Sequence, residues 1–259
     1  MEPVLQSRLP AFLWGKTSNS KLPGIQPLAN PLDWVLNDEA FADQMALRDR
    51  SISEQTDKVL ALHESARPAA RELLDHVLAT ITNLPGYQLS DTSVTRPDGI
   101  DVEIDREAPL ATAGRLVQED LCLMQPKNGE HLLSGAVLCF PAGWTLAEKF
   151  MRPLVAIHRP VKPYDQDIAR RVQRLFDGIK VDRPLWRYNG LFYDNPALFA
   201  PFTEAEPRPK LSKKAPYFRV ERQCLLRLPR TDAVVFSIHT YLVARENLSD
   251  EQCRAISAS

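Results

Sequence analysis

Apolar and polar positions along the chain change their period three times. From about residue 52 the spacing is helical: Ala70, Leu73, Leu74, Val77, Leu78 and Ile81 stand three and four apart, which places them on one face of a helix. Pro68 suits the first turn of that helix, and the NLPG turn at 83–86 ends it. DLCLMQ at 120–125 and LLSGAVLCF at 132–140 then read as two strands bounded by the turn-forming KNGE, with PAGW closing the second. A short helix over LAEKFM ends at Pro153. A longer one follows, with Ile168, Val172, Leu175, Phe176 and Ile179 on one face, Asp165 as N-cap candidate and Gly178 at its end. The last third alternates as strands do, over PLWRYNGLFYD at 184–194, YFRVERQCLLRL at 217–228 and AVVFSIHTYLV at 233–243, the final two separated by PRTD.

The first 50 residues hold no strong period, are rich in proline and aromatic residues, and are expected to wrap over the rest. The proline- and lysine-rich stretch at 200–216 reads as a surface excursion. The order of helices, two strands, a helical insert and three strands predicts an α+β fold with an antiparallel sheet. It divides into a wrapping and helical segment over 1–110, a core over 111–245 and a tail over 246–259, all one structural unit.

Composition narrows the function only by exclusion. With 259 residues, 44% hydrophobic and 25% charged, the chain can bury a substantial core, and a net charge of -1 gives no field for nucleic acid. Cys122, Cys139, Cys224 and Cys253 are scattered and form no CxxC pair, so a zinc or iron-sulfur site built from this chain is not expected. No run approaches the roughly 20 apolar residues that span a bilayer, and the N-terminus lacks a signal-like pattern; a cytoplasmic protein without membrane contact is the expectation. GxGxxG, P-loop, GxSxG and HExxH motifs are absent from the sequence.

Two polar residues interrupt apolar surroundings. On one side of the strand at 217–228 lie Phe218, Val220, Arg222, Cys224, Leu226 and Leu228, of which only Arg222 is charged; Tyr217, Arg219, Glu221, Gln223 and Arg227 form the other, ordinary solvated side. Matching apolar sides across the PRTD hairpin places Arg222 opposite or diagonal to Thr240. A guanidinium there needs an anion, a set of acceptors or a ligand, unless a carboxylate elsewhere pairs with it or its head reaches water. His158, between Ile157 and Arg159, closes a short apolar run before Pro160 and Pro163, which direct the chain into an extended exit. It is either a packed residue donating to a carbonyl or a metal or cofactor ligand. His63 and His76 read as surface or boundary residues, and His131 follows a charged turn.

The strings FLWGKT, PLDW, NDEAF, PAGW, LVAIHRPVKPY, WRYNG with DNPALF, and RVERQCLLRLPRTDAVVFSIHTY resemble the haem-dependent oxidative N-demethylase family, whose known relative is the haem-bearing subunit of a dimethylamine-oxidising enzyme. The likeness runs from about residue 10 to about residue 245, with IHRPV and RVERQ its most specific parts. It implies a PAS-like fold, an antiparallel sheet of about five strands with a helical insert and an N-terminal helical extension, holding haem b between sheet and helices. In that reading His158 is the proximal ligand of the haem iron, with Arg159 beside it among the cofactor-binding residues. Arg222 is the cationic donor toward dioxygen. Glu221 and Tyr241 would handle an amine and its proton, although simple alternation aims both away from Arg222, and Thr240 fits the pocket side better. The resemblance departs at Gly190, where the family pattern follows WRxN with Trp; the missing indole would open space in or near the pocket. The implied reaction removes a methyl group from a secondary or other small alkylamine as formaldehyde. It uses O2 and electrons from NADPH through a separate flavin and iron-sulfur reductase. The competing readings are a PAS-type haem sensor of gas or redox state and a haem-free binding protein.

Overall fold

The last two strands of the chain form the middle of its sheet. The structure, a computed structural model, describes residues 2–10, 13, 24–158, 166–206, 212 and 214–257, with the side chains of 155, 158, 166–169, 255 and 257 outside the description. Strands β9 (Tyr217–Arg227) and β10 (Val234–Ala244) pair antiparallel along their whole length. The other edge of β10 pairs with β6 (Asp120–Lys127), which turns back into β7 (Glu130–Val137), while β9 carries β8 (Leu185–Tyr193) on its far edge. Short strands β1 (Gln26–Pro27) and β2 (Leu60–Leu62) complete a seven-stranded sheet in the order β1-β8-β9-β10-β6-β7-β2. The β6–β7 turn places Asn128 and Gly129 at φ 54° and 81°, which the Asn-Gly pair tolerates. The β9–β10 turn is tied down by a helix: the Glu72 carboxylate accepts from the N–H groups of Arg230 (2.6 Å) and Thr231 (2.8 Å).

Directly opposite residues of antiparallel strands share a face, so the register sorts the side chains. Phe218, Val220, Arg222, Cys224 and Leu226 lie with Val243, Tyr241, His239, Ser237 and Val235. This face packs on the N-terminal part of the chain: Trp34 and Val35, α1 (Phe41–Glu54), Val59 of the short α2 (Thr56–Val59), α3 (Arg67–Ile81) and α4 (Pro109–Leu116). On the opposite face Leu225, Val234, Ile238, Cys122 and Met124 meet α5 (Leu146–Lys149), α6 (Leu154–His158) and α7 (Gln166–Gly178) through Leu146, Leu154, Phe176 and Ile179. The helical insert thus covers one side of the sheet and the N-terminal helices the other. In α3, Ala70, Leu73, Leu74, Val77 and Ile81 are fully buried, each of the larger ones contributing about 1.5–3 kcal/mol by burial.

Several boundaries differ from expectation for identifiable reasons. The first α-helix starts at Phe41, earlier than the period suggests, since the buried side of α1 carries Gln44, Arg48 and Ser51 among Phe41, Met45 and Ile52, which blurs its apolar period. The sheet gains its two short edge strands, a second sheet forms from β3 (Gln88–Leu89), β4 (Ser93–Thr95) and β5 (Asp101–Glu103), and the tail carries α8 (Asp250–Ser257). The hairpin register is one residue off the expected one: Arg222 faces His239, and Thr240 faces Glu221. Both faces of β9 and β10 are buried, so apolar matching has no open side by which to choose. The face carrying Arg219, Glu221 and Gln223 is accordingly not a solvated one, and Arg219 is only 3% exposed.

Candidate functional site

Across β8, β9 and β10 the insert-side face is a set of cross-strand rows. Leu185, Leu225 and Phe236 form one, and with Cys122, Ala136 and the insert residues Ile157, Val172 and Leu175 they make an apolar floor. The next row is Arg187, Gln223 and Ile238; the one after is Asn189, Glu221 and Thr240. The rows become more open toward β8, since Thr240 is buried, Glu221 half-buried and Asn189 exposed.

This polar margin is under-satisfied. Thr240 Oγ1, Arg187 Nε and Arg219 Nε are buried atoms without a hydrogen-bond partner, a condition that is rare for structural polar groups. Arg219 is otherwise anchored, donating to the carbonyls of Leu198 (3.0 Å) and Phe140 (2.5 Å) and lying 3.5 Å from Glu221. Gln223 Nε2 donates to the other Glu221 oxygen at 3.1 Å. Burial pulls the Arg187 guanidinium below its ordinary value against the opposing charge of Glu221.

Thr240 is positioned by what happens beyond the end of β6. Pairing with β6 reaches only Ile238, and past that point Gln44 Nε2 donates to the Thr240 carbonyl (3.0 Å) while Gln6 Oε1 accepts from Leu242 N (2.7 Å). On the insert, buried Lys149 donates from Nζ to the carbonyl of Ile157 (3.0 Å) and to Glu204 (2.6 Å), fixing the residue that precedes His158. The backbone of His158 closes α6; its side chain, and Arg159 and Asp165 entirely, lie outside the described residues.

Arg222 does not join this surface. It projects to the N-terminal side, where Nη2 donates to the carbonyl of Asp33 (2.6 Å) and the guanidinium lies over Trp186, 5.4 Å from the ring centroid, with Nε and Nη1 unpartnered. By register the sheet lies between Arg222 and the insert on which the backbone of His158 is placed. Tyr241 goes with Arg222, while Glu221 and Thr240 face the insert together. Gly190 also points away from the insert, in register with Val220, and a Cβ on it would stand 2.7 Å from Phe218 Cζ. Its lack of a side chain accommodates Phe218 and opens no room on the insert side.

Beside Arg222 the N-terminal face holds a buried charge cluster. His239 contacts Glu119 Oε1 through Nδ1 (2.9 Å) and Asp38 Oδ2 through Nε2 (3.1 Å), and its ring stands 4.6 Å from that of Tyr241. Burial alone would depress the imidazole, but the two carboxylates outweigh it and push it up to about 9. Asp38 is held below the usual carboxylate range, its own burial overcome by His239, Gln118 and Gln6. Burial pushes the Tyr241 phenol upward. His239 and Glu119 are fully buried and Asp38 is half-buried, which makes the arrangement an ionic brace, with Glu119 Oε2 left without a partner.

Sequence reasoning missed Arg187, Arg219 and Gln223 on the insert side, and Asp38, Glu119 and His239 on the other. Arg187 had a readable signal, as the charged member of the alternating strand WRYNG. The rest depended on a register that only the packed sheet supplies. Among the described residues no group of three or more His, Cys, Asp or Glu side chains is arranged to hold a metal ion directly. The insert face combines an apolar cluster shared with the insert and, at its border, donors that lack partners. Both faces and both helical layers lie within residues 24–258, which match the family described as haem-dependent oxidative N-demethylase, alpha subunit-like, and the chain belongs to that family.

Proposed function

We propose that this chain is a haem-binding oxidoreductase subunit that removes a methyl group from a small secondary or other alkylamine. The observation carrying this reading is the insert-side face, an apolar floor edged by the unpartnered Arg187 Nε, Arg219 Nε and Thr240 Oγ1, in a chain of the N-demethylase family. The order of two long strands, a helical insert and three long strands supports a PAS-like core. Haem b would be held between sheet and insert by His158, with Arg159 among the residues around it. When bound, it supplies the redox iron at which dioxygen is reduced and the methyl group oxidised. The overall balance is amine, O2, two electrons and two protons giving demethylated amine, formaldehyde and water.

The chain's own residues have separable tasks in this reading. Glu221, half-buried and braced by Gln223 and Arg219, holds a carboxylate toward the insert, where an alkylammonium can donate to it. Thr240 offers a buried hydroxyl, able to donate or accept, one strand further in. Ile238 and Leu225 exclude water from the floor between them. Arg222 and Tyr241 act from the opposite face, bracing the strands that carry Glu221 and Thr240. The words alpha subunit-like in the family description favour partner subunits, and a flavin and iron-sulfur reductase drawing on NADPH is the proposed electron source.

Haem titration of the purified chain tests the reading directly. A Soret band should grow to one haem per chain and be lost or strongly weakened in His158→Ala. With a chemical or protein electron donor and a methylated amine, formaldehyde should appear. A wild-type chain that develops no Soret band refutes the haem reading, and haem binding without formaldehyde across methylated amines refutes the demethylase one.

A further inference from the structure

Among the described residues, buried and half-buried arginines are held by acceptors with one exception. Arg48 reaches Asp120 and two carbonyls, Arg96 reaches Asp49 and Asp98, Arg219 two carbonyls, Arg222 the carbonyl of Asp33, and Arg227 the carbonyls of Ile179 and Phe176. Arg187 alone, half-buried on β8, has no hydrogen bond and no ion pair, and its Nε is buried without a partner. Glu221, the carboxylate whose charge acts on it, is already engaged by Gln223 and Arg219.

The Nε of Arg187 is buried without an acceptor, which is unfavourable, and the planar fork of a guanidinium matches a carboxylate better than any neutral group. The place of Arg187 says where that carboxylate comes from. It stands in the row next to the apolar floor, beside Gln223 and Ile238, and the neighbouring row opens to solvent at Asn189. An anion reaching it belongs to a ligand whose apolar body lies on the floor and whose charged edge stays at the mouth.

We propose that Arg187 is the carboxylate anchor of the cofactor site, pairing with a propionate of the haem; this rests on the haem-binding reading above. Arg187 is a positioning residue in this role, setting how the macrocycle is oriented on the floor and taking no part in the chemistry.

The test compares haem with its dimethyl ester, which keeps the macrocycle and removes both carboxylate charges, by absorbance titration of the full chain and of Arg187→Gln. Arg187→Gln should weaken haem binding by about 10- to 100-fold, the range of a charge-assisted hydrogen bond, and leave binding of the ester unchanged. Arg187→Lys, which keeps the charge without the fork, should fall between. The double comparison isolates the pairing from any general loosening of the site, and thermal melts of the haem-free variants show whether folding is intact. Should Arg187→Gln be unfolded, the wild-type preference for haem over the ester, reduced in Arg187→Lys, carries the test alone. Equal weakening of haem and ester, or none of either, overturns the anchor while the haem reading stands. Failure of the wild type to bind haem at all overturns both.

Discussion

Replacing Asp38 by Asn should flatten the stability of the protein across mildly alkaline pH. His239 is buried between Asp38 and Glu119, and those partners hold it protonated up to about 9, whereas an unfolded histidine titrates near 6.5. Between these values the folded state binds one more proton than the unfolded state, so the unfolding free energy falls by about 1.4 kcal/mol per pH unit. The stabilisation is fully present below about pH 6.5, is lost as pH rises through about 9, and amounts to about 3 kcal/mol. The other groups that face His239 leave this window clear: Asp38 is held low, the buried Tyr241 phenol is pushed up, and the nearby Cys224 thiol is pushed up to about 12 by burial. His76 and His131 are depressed by burial, so their contributions act below the same window. Asp38→Asn keeps the shape and removes one charge, which lowers the folded value of His239 and reduces the slope. Urea denaturation at half-unit steps from pH 6 to 9.5, wild type against variant, reads this directly. Identical slopes in the two proteins, or no fall in the wild type, would refute the electrostatic assignment.

Three further outcomes are expected. Gly190→Trp should destabilise the protein by about 1–3 kcal/mol or more in thermal melts, because its side chain must displace fully buried Phe218, and it should leave haem affinity nearly unchanged because position 190 faces away from the insert. Glu72→Gln removes the charge that accepts from Arg230 N and Thr231 N at the β9–β10 turn and should cost about 1–3 kcal/mol at neutral pH. Despite burial, those bonds hold the Glu72 carboxyl below its ordinary value, so its contribution should disappear as pH falls through that lowered value, and wild type and variant should converge in acid. Lys149→Met unfastens the carbonyl of Ile157; haem dissociation, followed by transfer to apomyoglobin, should be faster, and an unchanged rate would separate α6 from the cofactor.

What the chain discloses before folding follows from how many sides of each element are buried. Helix α3 was legible because Ala70, Leu73, Leu74, Val77 and Ile81 keep an unbroken apolar period beside its buried Glu72 and Thr80, whereas α1 hides behind Gln44 and Arg48, whose polar atoms are met by the Thr240 carbonyl and by Asp120. The five long strands were legible from β-rich runs and turn residues. Their faces were not, since a strand buried on both sides carries apolar residues at odd and even positions alike, and Arg222 could be assigned to either companion. Glu221 and Thr240 were found through the resemblance. Arg187 was passed over because one arginine in a half-exposed strand is ordinary until its neighbours are known to be committed elsewhere.

The central position of β10 also dictates an order of events during synthesis. Met124 of β6 pairs with Val234, and Gln6 near the start of the chain bonds to Leu242, so both wait until nearly the whole protein has been made. Until then the β6–β7 hairpin presents an open edge beside an apolar face, the kind of surface that recruits chaperones or other nascent chains. The β8–β9 pair emerges later and cannot join that hairpin directly, because the strand between them follows both. Ribosome-bound chains halted before residue 234 should therefore contain two separate half-sheets, and addition of β10 should convert them in one step to a protease-resistant domain.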